Sequence, residues 1–286
     1  MRYTIGGHTI ALIGQNDANL AARLPGMHLF ATDDTSLEEI RVVLDAELTL
    51  PDCQWHHRFG IADDIMECRF GTDSEGVYYY TFGHNGLLRF DARKPDTVFC
   101  SHLGDADLLR YALWTAYSMA GLHLGALPIH ASTVVNGGRA VLCLGESGTG
   151  KSTHTSLWIK HIEGSYLLND DSPIVSVENG QAVVYGSPWS GKTPCYRRER
   201  LPIAALLRLE QRPENSIRHL GTVEAFTALQ PSCPPALARE ERCLDKLVEY
   251  ISAVIGSVPV YRMGCLPDAD AARLSFNTIY NSRHAD

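Results

Sequence analysis

Residues 145–153 read Gly-Glu-Ser-Gly-Thr-Gly-Lys-Ser-Thr, the G-x-x-x-x-G-K-[ST] pattern of a Walker A phosphate-binding loop (P-loop). Such a loop needs a strand before it and a helix after it, and both neighbours suit. Val141-Leu142-Cys143-Leu144 is an apolar run fit for a buried strand, and Ser152 to His161 is compatible with a helix. Gly145, Gly148 and Gly150 let the backbone turn its N–H groups inward as an anion-binding nest. The N-terminus of the following helix adds partial positive charge. In this setting Lys151 reaches the β- and γ-phosphates and the Ser152 hydroxyl ligates Mg²⁺. Gly145, Glu146, Ser147, Gly148, Thr149, Gly150, Lys151, Ser152 and Thr153 are therefore the expected nucleotide-binding residues.

Composition narrows the setting. A chain of 286 residues holds one large domain or two modest ones, and 45% hydrophobic with 20% charged residues suits a globular core. The formal charge of −8 argues against a general nucleic-acid binder. No run of 18 apolar residues occurs, so no membrane span is expected. The opening Met1-Arg2-Tyr3-Thr4-Ile5-Gly6-Gly7-His8 lacks the apolar stretch of a secretory signal. The 8 cysteines form no C-x-x-C pair and several sit in apolar runs, which points to a reduced, cytoplasmic chain. The 12 histidines show no zinc-ligand spacing, and His56-His57 beside Trp55 read as ordinary strand residues.

Residues 1–104 read as a small β-rich N-terminal lobe, and residues 105–286 as the nucleotide-binding domain. Gly6-Gly7 and His84-Asn85-Gly86 mark hairpins in the lobe, while Thr35–Leu44 reads as a short helix capped by Thr35 or Ser36. Asp105–His123 carries Leu108, Leu109, Ala112, Leu113, Ala116, Met119 and Ala120 at helical spacing. Further strands are expected at 129–135, 139–144, 166–169, 174–177, 182–185, 204–209 and 258–262, with helices at 222–229, 244–255 and 268–279. Turns at Asn136-Gly137-Gly138 and Glu178-Asn179-Gly180 imply antiparallel pairing around the loop. The common phosphate-loop folds instead embed theirs in a largely parallel βαβ sheet. The fold class is therefore mixed α/β with a largely antiparallel or mixed sheet.

Leu167-Leu168-Asn169-Asp170-Asp171 is an apolar strand ending in two adjacent aspartates. One carboxylate at such a strand end suits Mg²⁺, and the other can accept a proton from an attacking hydroxyl. His130, fifteen residues before Gly145, can contact the phosphoryl group or the acceptor. Ser187-Pro188-Trp189-Ser190-Gly191-Lys192-Thr193 joins a tight turn, an aromatic plate and a cation, followed by Arg197 and Arg198. Cations here would stabilise a transferring phosphoryl group.

His130, the Gly145–Ser152 loop and Asp170-Asp171, in this order, make residues 125–280 resemble the HPr kinase/phosphorylase family, which shares a phosphoenolpyruvate carboxykinase-like nucleotide fold. The resemblance implies ATP and Mg²⁺ as cofactors, Asp170 as the base that activates a serine hydroxyl, and Asp171 with Ser152 at the metal. It implies Lys151 on the phosphates and His130 at the reacting phosphate, with Arg197, Arg198 and Arg208 all candidates for the family's arginine; Lys192 and Arg197 join the catalytic set as cations of the Trp189 segment and its neighbour. Residues 1–104 do not resemble the regulatory domain of that family. The expected activity is an ATP-dependent kinase acting on a hydroxyl of a small protein, a peptide or a small molecule, without nucleic-acid or membrane partners and with homo-oligomerisation open. Two alternatives remain: a carboxykinase-like phosphotransferase, and a nucleotide-gated regulatory protein with little catalysis. Acceptor specificity is expected in the N-terminal lobe, the Trp189 segment and the loop around Cys233.

Overall fold

The computed structural model describes residues 1–14, 21–45, 47–61, 66–101, 103–237 and 241–281. These form two compact units, Met1–Leu124 with Ala236–Lys246, and Gly125–Pro235 with Leu247–Asp286.

The first unit is built on an eight-stranded sheet ordered β1-β2-β3-β8-β7-β6-β5-β4, with β1 Arg2–Ile5, β2 His8–Ile13, β3 Glu39–Leu44, β4 Gln54–Ile61, β5 Met66–Thr72, β6 Tyr78–Phe82, β7 Gly86–Phe90 and β8 Thr97–Cys100. Helix α1, Ala106–His123, packs against β3, β7 and β8. Both expected hairpins form. Gly6 and Gly7 sit at φ 61° and 82° between the paired Ile5 and His8, a turn that matches strand twist and that side chains with a Cβ resist. The Asp105 carboxylate caps α1, accepting from Asp107 N at 2.8 Å and Leu108 N at 3.0 Å. The units divide after Leu124, so α1 belongs to the first compact unit rather than starting the second.

The helix expected over Thr35–Leu44 is absent, and Glu39–Leu44 is strand β3 instead. It lies parallel to β2 on one side and β8 on the other, with Ile40 and Val42 buried alternately. Two neighbouring strands and β-branched side chains at 40, 42 and 43 outweigh a local capping signal.

The second unit holds a nine-stranded mixed sheet. Its strands are β9 Ala126–Pro128, β10 Ala131–Asn136, β11 Arg139–Leu144, β12 Tyr166–Asn169, β13 Ile174–Glu178, β14 Gln181–Tyr185, β15 Arg200–Gln211, β16 Ser216–His219 and β17 Val260–Cys265. The order is β12-β10-β11-β15-β14-β13-β9, with β17 on β15 and β16 on β17. The hairpins β10–β11 and β13–β14 close through Gly137-Gly138 and Asn179-Gly180. By contrast, β11, β15 and β17 run parallel. Strand β15 is longer than its apolar stretch suggests because it has three partners. Residues 200–202 pair with β14, residues 203–208 with β11 and residues 206–211 with β17. Strand β16, a polar edge strand with only Ile217 half-buried against the core, has no apolar run to announce it.

Helices α2 Lys151–His161, α3 Thr222–Leu229, α4 Glu241–Ser257 and α5 Ala269–Asn281, with short 3-10 helices at Met27–Phe30 and Gln230–Ser232, complete the described elements. Among the described residues no helix is long and apolar enough to cross a membrane, and all eight cysteines remain thiols. Helix α2 packs on β10, β11, β12 and α5. At that contact Trp158 Nε1 donates to Ser275 Oγ at 2.8 Å, and His154 Nε2 lies 3.0 Å from the same oxygen.

Burial holds the His154 imidazole down to about 4, against an ordinary ~6.5. Between those values the unfolded chain binds the extra proton and the folded chain does not. Stability is therefore fully present above about pH 6.5, falls as the pH drops, and stops falling near His154's own folded value. The loss is on the order of 3 kcal/mol. Urea midpoints of the wild type and His154→Gln, measured across this window, should converge as the pH falls; a gap independent of pH would contradict the assignment.

Candidate active site

The glycine loop leaves β11 at Leu144 and enters α2 at Lys151. Gly148 and Gly150 are left-handed, at φ 81° and 101°, and an added Cβ at either would meet nothing within 4 Å. Their glycines thus serve backbone conformation and leave the space over the loop open. Gly145 is different: a Cβ there would lie 2.6 Å from Thr149 Oγ1. Close packing demands glycine at that position, because the Thr149 hydroxyl turns back to the Glu146 carbonyl. Glu146, Ser147 and Gly148 are exposed at the crest, and Ser152 and Thr153 are exposed on the first turn of α2.

Lys151 points beneath the crest and is buried. Its three ammonium protons have three acceptors: Gly145 O at 2.8 Å, Glu146 O at 3.0 Å and His130 Nε2 at 2.9 Å. An ammonium can only donate, so Nε2 must accept and the ring proton sits on Nδ1. Nδ1 in turn lies 3.3 Å from Asp171 Oδ1. A continuous polar chain therefore runs from the loop through Lys151 and His130 to Asp171. Burial pulls the Lys151 pKa down, Asp171 and then Asp170 push it back up, and Arg208 lowers it again. The charged form is costly in isolation, and an incoming anion would favour it.

Asp170 is 6% exposed and fully engaged. Oδ1 accepts from Ser132 Oγ at 2.8 Å on β10, and Oδ2 accepts from Thr193 N at 3.2 Å. Ser132 Oγ is also 2.9 Å from Thr155 Oγ1 on α2. The turn carrying both aspartates is built by Asn169. Its Oδ1 accepts from the backbone of Asp171 and Ser172, each at 2.9 Å, while Nδ2 donates to Ser187 and to the Trp189 carbonyl. Gly191 seals the turn, since a Cβ there would lie 3.1 Å from Asp170 O and 3.2 Å from Asp171 Cβ.

His130, Lys151, Asp170 and Asp171 thus converge, although 21 residues separate the first two and 38 separate Ser132 from Asp170. The basic residues divide. Lys192 is exposed, one residue from the Thr193 amide that serves Asp170. Arg197 lies 4.8 Å over the Tyr166 ring and donates to Glu199 at 3.3 Å, so its charge is engaged at the start of β12. Arg208 is paired in register with Leu144, the last residue before the loop. Its side chain is 16% exposed and reaches 4.0 Å from Glu146 Oε1. Of the three arginines weighed from sequence, Arg208 is the one held against the loop by an observed contact. Trp189 is no surface plate: it is buried, and its carbonyl serves the Asn169 turn. Cys233 is likewise buried. Burial withdraws these two side chains from the surface of the segments in which the sequence placed acceptor specificity.

No protein-family model matches the chain, and no curated protein matches it. Among solved structures, the chain is similar to the HPr(Ser) kinase/phosphatase from Coxiella burnetii, at 16% identity over 54% of this chain and 94% of that one, with a TM-score of 0.32.

Proposed function

We propose that this protein is an ATP- and Mg²⁺-dependent kinase that phosphorylates a hydroxyl group, with serine the expected acceptor on a small protein, peptide or small molecule. The observation that carries the reading is the Lys151–His130–Asp171 chain with Asp170 beside it, directly under an open glycine loop.

The residues fit the cofactors. Left-handed Gly148 and Gly150 leave room for phosphate oxygens, Lys151 supplies a cation, and Ser152 presents an exposed hydroxyl on the first helical turn. Ser152 and Asp171 would hold the magnesium, an ion content with one or two protein oxygens when phosphates complete its shell. When bound, ATP supplies the γ-phosphoryl group and Mg²⁺ spreads its charge.

The remaining work belongs to the chain. Lys151 would exchange its contacts with the Gly145 and Glu146 carbonyls for phosphate oxygens, stabilising charge that grows during transfer. His130, fixed by Lys151 and Asp171, would border the reacting phosphate. Asp170 would take the acceptor's proton as the new O–P bond forms and the bond to ADP breaks. Ser132 and the Thr193 amide hold that carboxylate in one orientation, so little reorganisation is needed at reaction.

The test is transfer from γ-labelled ATP with Mg²⁺ into fractionated extract, with the label located by mass spectrometry. Wild-type protein should label a hydroxyl-bearing acceptor, and Lys151→Ala should reduce labelling by about 10²–10³-fold. Tight ATP binding without any labelled acceptor would replace this reading by the nucleotide-gated regulator. Absence of ATP binding would remove the loop assignment itself.

A further inference from the structure

Residues 190–199 form a strap without regular secondary structure beside β12. Its own hydrogen bonds fix it: Ser190 Oγ accepts from Cys195 N at 3.0 Å and donates to Thr193 O at 2.7 Å. The strap is tied to the proposed base, because Thr193 N donates to Asp170 Oδ2 at 3.2 Å and Gly191 fits against the Asp170–Asp171 backbone. From there it runs opposite to β12. Cys195 Sγ lies 3.4 Å from Leu167 O and 3.3 Å from Leu168 O, and Arg197 covers the Tyr166 ring. At the far end Gly186 N donates to Glu199 O at 3.0 Å. The ribbon is thus held at several points, yet Lys192, Thr193, Pro194, Arg197 and Arg198 are all exposed.

Charge sets this ribbon apart. Residues 192–198 carry three cations and no acid in a chain of formal charge −8. Lys192 and Arg198 have no ion pair among the described residues. Arg197, paired with Glu199, keeps a side chain 47% exposed. Tyr166 opens β12 at the end farthest from the glycine loop, so the phosphates do not account for the cation lying over it. We propose that the strap reads the acceptor, and that the acceptor is an acidic peptide segment: a serine with carboxylates beside it and again about four residues away. The inference rests on the kinase reading and names its substrate class. The register comes from the strap. Thr193 and Arg197 are four residues apart, about 13 Å in extended chain. A peptide laid along it with serine at Asp170 brings a carboxylate four residues away to Arg197 and Arg198. Lys192, next to Thr193, meets a carboxylate adjoining the serine. Guanidinium groups suit this task, since they pair with carboxylates through two parallel hydrogen bonds.

Fluorescence anisotropy of the full chain with labelled serine peptides tests the strap without requiring transfer. One peptide carries glutamates beside the serine and four residues from it on both sides; a second has glutamine at those positions, and a third lysine. Wild-type protein should bind the glutamate peptide about tenfold or more tighter than the glutamine peptide, an advantage that shrinks as salt rises. Label transfer from ATP should rank the peptides in the same order. Lys192→Glu combined with Arg198→Glu leaves one cation and two acids over residues 192–198, and this double variant should bind the lysine peptide best. A reversed preference is a gain that a misfolded chain would not show. Equal wild-type binding of the glutamate and glutamine peptides, or an unchanged ranking in the double variant, would overturn the docking strap and leave the kinase reading intact. Loss of ATP affinity in the double variant with the glutamate preference kept would assign these cations to the phosphates and overturn it too. Equal binding of a peptide with all its glutamates moved to one end would overturn the register. Transfer to no acceptor of any kind would end both readings.

Discussion

Asp170→Asn is expected to lower phosphoryl transfer by about 10²–10⁴-fold while ATP affinity changes little. The substitution is clean because the surrounding hydrogen bonds can be satisfied by an amide. Its oxygen can still accept from the Thr193 amide, which now lies 3.2 Å from Oδ2. Its nitrogen can donate to Ser132 Oγ, which then turns its own proton to Thr155 Oγ1, 2.9 Å away. Thr155 Oγ1 already lies 3.1 Å from the Ser152 carbonyl, so the chain ends on an acceptor. What disappears is the carboxylate oxygen proposed to receive the acceptor's proton. Label-transfer rates and calorimetric ATP affinities, measured on the same preparation, check the split. Wild-type turnover in Asp170→Asn would end the base assignment, and loss of ATP affinity in step with transfer would make Asp170 a binding residue instead.

The legibility of this chain follows the range of the interactions involved. The glycine loop and the hairpins at Gly6-Gly7, Gly137-Gly138 and Asn179-Gly180 depend on a few consecutive residues, and the sequence discloses them. Strand β3 was hidden because its identity comes from β2 and β8, the latter more than fifty residues on. The same holds for β16, whose strand partner β17 lies more than forty residues on. Candidate site residues behave likewise. His130, Lys151 and the Asp170-Asp171 pair could be nominated one by one from their motifs, but their meeting depends on β10 lying between β11 and β12. Arg208 illustrates the limit. In sequence it is one charge inside an apolar strand, no better than Arg197, which instead covers Tyr166. Only the parallel register that sets Arg208 beside Leu144 brings it to the loop.

Trp158→Ala should cost about 3–5 kcal/mol of stability and weaken phosphate binding as well. Trp158 is fully buried, and its ring packs edge-on against Phe276 at 5.5 Å and against Tyr280 at 6.1 Å. Alanine would leave a large cavity between α2 and α5, and the Ser275 hydroxyl would lose the indole N–H while keeping His154. The second effect follows from position. Trp158 lies two turns beyond Lys151 on the same helix, and that helix carries both the loop's exit and Thr155, which supports Ser132 and hence Asp170. A helix free to shift across this cavity would no longer hold Lys151 within reach of His130. Trp158→Phe separates the contributions. It keeps most of the ring contact and forfeits the hydrogen bond, so its cost should be about 1–2 kcal/mol, with phosphate affinity largely retained. Urea midpoints and tripolyphosphate titrations of both variants test the coupling. If Trp158→Ala loses stability yet binds tripolyphosphate like the wild type, the core does not position the loop, and the rigidity that in-line transfer demands must come from the loop's own packing at Gly145.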